Sequence, residues 1–211
     1  MISCGNTKVL CTATIETKVP KWMQGQGKGW ITAEYDMLPR ATDSRTMRDG
    51  RKGKVKGRTQ EISRLIGRSL RAIASLDALG ELNVILDCDV IQADGGTRTT
   101  SITGAYVALA LALQNHFGSR DTVQQILKDQ VAALSVGVVN DEIRVDLDYA
   151  LDSTAQVDMN IVMTGGGDLI EVQGTGEEST FTHQELNSML ESALAALPGL
   201  CAAQKQALGW T

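Results

Sequence analysis

The segment DVIQADGGTRTTSITGAYVALALAL, residues 89–113, sets the tightest limit on the fold. It continues a strand pattern over 82–91, in which Leu82, Val84, Leu86, Cys88 and Val90 alternate with Asn83, Ile85, Asp87 and Asp89. The pattern meets Gly95-Gly96, passes through Thr97, Arg98, Thr99, Thr100 and Ser101, and becomes a helix rich in Ala, Leu and Gly over 101–115. Such small side chains let that helix pack closely on a sheet or on another helix. Glycine permits positive φ and close backbone approach. Hydroxyls and N–H groups at a helix start are expected to point to one spot. Arg98 adds a fork that suits phosphate oxygens. The spacing is not that of a Walker loop. Taken alone, a tight turn with Thr and Ser capping the helix accounts for the segment slightly better than an anion site.

The other elements follow from periodicity. Strand patterns occupy 7–16 and 29–36, and Pro39 ends the second. Ile62, Leu65, Ile66, Leu70 and Ile73 give helical spacing over 59–75, with Arg64, Arg68 and Arg71 off the apolar face. Strands are predicted at 132–139, at EIRVDLD after the Asn140-Asp141 turn, and in a hairpin of 159–164 and 169–174 around Gly165-Gly166-Gly167. Thr182-His183-Gln184-Glu185 has the form of a capping box and opens a last helix. The order is two strands, helix, strand, helix, four strands, helix. That is an α+β fold, with mixed sheets and helices packed on them. With 211 residues, 43% of them hydrophobic, one domain over 1–211 is expected.

Charge is unevenly spread. Residues 40–58 hold eight basic and two acidic residues, a local balance of +6 in a chain of net −5. A polyanion-binding segment on an acidic scaffold and a solvated loop explain this equally well. Aromatic residues are 4%, which argues against extensive base stacking. Cys4, Cys11, Cys88 and Cys201 are scattered, as free thiols in a reducing cytoplasm would be. His116 and His183 are too few and too distant for a zinc site. The sequence shows no secretory signal and no apolar run of membrane length.

Three further residues are candidates for chemistry. Arg58 stands just before the first helix, where an anion is favoured. Asp158 begins the 159–164 strand, and Asp152 is placed in the loop before it. Two carboxylates flanking a turn can hold Mg²⁺, or one can protonate a leaving oxygen. Alone, ordinary turn formation explains them better.

The chain resembles the ribonuclease PH family of phosphorolytic exoribonucleases. The resemblance rests on GQGKGWITAEYDMLPRAT (25–42), GRTQEISRLIGRSLRA (57–72), LDCDVIQADGGTRTTSITGAYVALA (86–110), DLDYALDSTAQVDMNIVMT (146–164) and IEVQGTGE (170–177). It implies a fold like the ribosomal protein S5 domain 2 group. It implies phosphate-dependent 3′-to-5′ trimming of tRNA precursors and other structured RNA such as rRNA, releasing nucleoside diphosphates. A non-catalytic RNA-binding ring subunit of an exosome-like assembly is the alternative. Carried over by motif, inorganic phosphate falls to Arg58, Gly96, Thr97 and Arg98. The catalytic pair, and the holders of Mg²⁺, are Asp152 and Asp158. RNA contacts fall to Arg45, Arg48 and Arg51. A cytoplasmic hexamer, a trimer of dimers, is implied. The match also implies that the family's N-terminal strand segment is lacking. Leu151 and Gln156 stand where the family has glutamates, and Asp43 where it has a histidine.

Overall fold

A computed structural model describes residues 1–48, 53, 55–177 and 180–210. Among these residues two four-stranded sheets carry the fold. The first contains β1 (Ile2–Cys4), β2 (Thr7–Glu16), β3 (Trp30–Met37) and β4 (Asn83–Gln92), in the order β1-β2-β4-β3. β4 pairs antiparallel with β2 and parallel with β3. A parallel pair needs a crossover, and α1 (Gly57–Ala72) supplies it. The second sheet has the order β6-β5-β7-β8, all antiparallel, from β5 (Val131–Val139), β6 (Glu142–Val145), β7 (Val157–Thr164) and β8 (Leu169–Gly176).

Between the sheets runs α3 (Thr97–Phe117), which packs on β2 and β4 and also on β5. Its small residues serve that position. A Cβ at Gly104 would lie 2.6 Å from Ile2 and 2.8 Å from the Cys11 sulfur. Buried Thr103 bonds both the N–H and the carbonyl of Ala133, fastening α3 to β5. β5 is buried along its whole length, which explains its unbroken apolar run VAALSVGVV. Its neighbour α6 (His183–Leu208) seats Met189, Ala193, Leu197 and Cys201 on the second sheet. α6 is long and apolar enough to cross a membrane by length and composition, contrary to the reading that no such run exists. Here that apolar stripe is part of the core. Thr182 and Glu185 close the expected capping box.

Short elements had no periodic signal: β1, a 3₁₀ turn at Lys21–Met23, α2 (Leu76–Leu79), α4 (Arg120–Ile126) and α5 (Tyr149–Asp152). Three to seven residues are too few for one apolar face to repeat. Helix α3 also starts at Thr97, four residues before the expected start, so Thr97 and Arg98 form its first turn. The four cysteines are free; Cys88 and Cys201 are buried, while Cys4 and Cys11 are only partly so.

Candidate active site

The C-terminal ends of β3 and β4 open into a cleft of about 1020 Å³. Its wall includes Arg58, Gly96, Thr97, Arg98, Asp152 and Asp158. These are all six residues carried over as phosphate-binding or catalytic, drawn together from both sheets.

The glycine pair has a structural cause. Gly95 has φ +75° and Gly96, the N-cap of α3, has φ +53°. A Cβ on Gly95 would lie 2.2 Å from the Leu147 carbonyl oxygen. The loop after β6 therefore presses on the first sheet here, and only glycine leaves room. Ser135 holds that loop by accepting from the Leu147 N–H at 2.9 Å. Thr7 pins the glycine loop from the other side, donating to the Gly95 carbonyl and accepting from the Asp94 N–H. Asp94 is structural, accepting from Asn6 and from the Tyr149 N–H.

The hydroxyls do not converge as expected. Among the described residues no side chain caps α3. Thr99 donates back to the Gly96 carbonyl, and Ser101 to the Thr97 carbonyl. Among the four threonines and serines of 97–101 that were expected to point to one spot, only Thr97 lines the cleft. The Tyr35 hydroxyl donates to Thr97 Oγ1 at 2.9 Å from beneath. That leaves the Thr97 proton for another acceptor. Burial pushes the Tyr35 phenol up, against the pull of Thr97, Arg58 and Arg98.

Arg58 is the second residue of α1, inside the helix rather than before it, and Arg98 is the second residue of α3. Neither helix has an acidic residue in its first turn. Each arginine thus adds positive charge to the positive end of a helix dipole, an arrangement that an anion relieves.

Asp158 is the second residue of β7, and Asp152 ends α5 rather than lying in a loop. Burial pushes the Asp158 carboxyl up, and the Asp152 charge adds to this; Arg98 and Arg58 pull it back. Asn160 reaches Asp158 Oδ2 at 3.5 Å. Among the described residues no group of three or more His, Cys, Asp or Glu gathers as a metal cage. Two carboxylates and an amide suit a hard cation that keeps most of its waters.

The departures from the resemblance fall beside the chemistry. Leu151 packs on Val139, Leu147 and Ala155. Gln156 is tied to Asp141 by two hydrogen bonds of 2.9 Å, holding the β5–β6 turn. Neither lines the cleft, whereas Asp43 does. Arg45 and Arg48 are exposed and lie outside its lining. Arg51 falls outside the described residues, as do Lys52 and Lys54.

Sequence reasoning missed Tyr35, Glu61, Ser135, Tyr149, Asn160 and Gln173. Tyr35 and Gln173 stand in the quoted segments 25–42 and 170–177, yet nothing local marks their partners.

Residues 1–113 match the family model described as 3′ exoribonuclease family, domain 1, and residues 129–196 match domain 2 of the same family. The chain therefore belongs to the 3′ exoribonuclease family. Within it, the chain is similar to Ribonuclease PH of Bacillus mycoides (strain KBAB4), with 58% identity over 210 residues, 99% of this chain and 86% of that protein. Ribonuclease PH of Bacillus cereus (strain B4264) is 57% identical with the same coverage. The resemblance read from the sequence is borne out. Among solved structures, rice (Oryza sativa) Rrp46 gives a TM-score of 0.75 at 17% identity, covering 98% of this chain and 86% of that one. The Archaeoglobus fulgidus exosome with RNA bound to the active site gives 0.74 at 14% identity, covering 95% and 80%. They share the fold, and the expected α+β class stands.

Proposed function

We propose that the chain is a phosphate-dependent 3′-to-5′ exoribonuclease that trims tRNA precursors, with the cleft as its active site. One observation carries this reading: Arg58 and Arg98, each in an acid-free first turn, meet in one cleft with Asp152 and Asp158. Inorganic phosphate sits between the arginines, with Thr97 and the N–H groups that open α3. Both reactants are anions, so positioning and charge neutralisation dominate the catalysis. A phosphate oxygen attacks the last phosphodiester phosphorus in line. The bond from phosphorus to the preceding 3′ oxygen breaks. A nucleoside diphosphate leaves, and the RNA, one residue shorter, keeps a 3′ hydroxyl.

That hydroxyl needs a proton. The raised Asp158 carboxyl is suited to supply one. The alternative to that proton is Mg²⁺: where it is bound, Asp152 and Asp158 would hold it as carboxylates, and it would supply charge neutralisation on the phosphoryl oxygens. Arg45, Arg48 and Arg51 contact the RNA body. The working form is a cytoplasmic homohexamer, a trimer of dimers, which sedimentation would check.

The test is incubation with tRNA carrying extra 3′ nucleotides, with and without phosphate. Nucleoside diphosphates are expected with phosphate only. Monophosphates released without phosphate would overturn the mechanism. Binding without turnover would favour the non-catalytic ring subunit.

A further inference from the structure

Arg98 can grip phosphate with two N–H groups only where its guanidinium is aimed. Arginine is a long side chain with many rotamers, and a fork that wanders cannot present two N–H groups to one anion. Among the described residues Arg98 makes one hydrogen bond, from Nη1 to Gln173 Oε1 at 2.9 Å. Gln173 lies on β8, the edge strand of the second sheet, 75 residues away in sequence. Its own amide is anchored in turn: Nε2 donates to Glu61 Oε1 on α1 at 3.3 Å. A carboxylate only accepts, so the amide nitrogen must face Glu61 and the amide oxygen must face Arg98. The orientation is fixed by chemistry as well as by position.

Glu61 also lies 3.6 Å from Arg98 Nη1, but its side chain is 40% exposed. At that distance and exposure the direct ion pair contributes little. The amide contact is the shorter and better-directed one. It also has the right charge. A carboxylate in that place would compete with phosphate for the guanidinium, whereas a neutral amide oxygen occupies one N–H and leaves the positive charge available.

We infer that Gln173, held by Glu61, is the positioning residue that aims Arg98 at the attacking phosphate. The inference rests on the reading that Arg98 binds phosphate. It also makes β8 part of the phosphate site although β8 supplies no residue of the cleft wall. Glu61 sits one turn beyond Arg58 on the same helix. The two arginines are therefore braced by one structure: α1 carries Arg58 directly and Arg98 through the amide.

The experiment is steady-state phosphorolysis of extended tRNA, varying phosphate, in wild type, Gln173→Ala, Arg98→Ala and the double variant. Gln173→Ala is expected to raise the phosphate KM about tenfold, with kcat less affected and the RNA KM unchanged. Thermal unfolding should stay near wild type, since Gln173 is half-buried on an edge strand. A merely structural role would lower the unfolding midpoint and leave the phosphate KM alone. In the Arg98→Ala background, Gln173→Ala should add nothing, because its effect runs through that guanidinium. A wild-type phosphate KM in Gln173→Ala, with Arg98→Ala impaired, overturns the positioning role. A wild-type phosphate KM in Arg98→Ala overturns the phosphate reading itself. Glu61→Ala is the second variant: it frees the amide to rotate and leaves Gln173, the hydrogen-bond acceptor of Arg98, in place, at the loss of only the weak 3.6 Å ion pair. It should raise the phosphate KM in the same direction by a smaller factor, and it decides the matter if Gln173→Ala does not fold.

Discussion

At the residue scale, Asp158 is where opposing effects are most finely set. Burial and Asp152 raise its carboxyl, and two arginines lower it. Replacing it with asparagine keeps the shape and removes both the charge and the proton. Asp158→Asn is expected to abolish turnover while tRNA stays bound; near-normal rates in a single-turnover assay would remove Asp158 from the chemistry. The sequence made Asp158, Asp152, Arg58 and Arg98 legible because each belongs to a contiguous motif. It could not show where the hydroxyls of 97–101 point. Thr99 and Ser101 satisfy helix carbonyls, and that choice depends on rotamers rather than on residue type. Tyr35 was hidden for another reason: its partner Thr97 is 62 residues away, and the parallel pairing of β3 with β4, the strand that leads into α3, brings them together.

At the element scale, the turn into α3 has no tolerance for a side chain. Gly95→Ala would set a methyl against the Leu147 carbonyl at φ +75°. The variant is expected to lose at least about 2 kcal/mol of stability, read from urea unfolding midpoints, together with its phosphate-dependent turnover. The α6 capping box is a milder case. Thr182→Ala should cost about 1 kcal/mol. The Thr182 backbone N–H holds the Glu185 carboxyl below its usual range. Its contribution is thus present above the ordinary glutamate range and fades as pH falls through the lowered value. Thr182→Ala keeps that N–H and removes only the hydroxyl that also donates to Glu185, so the part of the difference that runs through the hydroxyl should narrow over that fall in pH. Long elements were legible because apolar spacing repeats along them. α5 was not, and so Asp152 was assigned to a loop. A helix of four residues has no repeat to detect.

At the scale of the whole molecule, charge is segregated: a basic segment over 40–58 on an otherwise acidic chain. RNA affinity should fall linearly on logarithmic axes with salt. Replacing Arg45 and Arg48 by alanine should reduce that slope by about 0.7 for each RNA phosphate that is no longer neutralised. An unchanged slope would place the RNA elsewhere. The split of the site between sheets was not legible at all, because no local pattern says which strand ends face one another. Its consequence is thermodynamic. Arg98 starts the helix that follows the first sheet, and Asp158 and Gln173 belong to the second. A phosphate held in that cleft is a ligand that only the closed pair of sheets can bind, so its binding free energy adds to the free energy of folding. At a hundredfold excess over its Kd, phosphate should stabilise the chain by roughly 2.7 kcal/mol, an upward shift in Tm of roughly 5–10 °C. Arg98→Ala should abolish that shift. Bound there, the co-substrate that begins each turnover would be, between turnovers, a clasp on the fold.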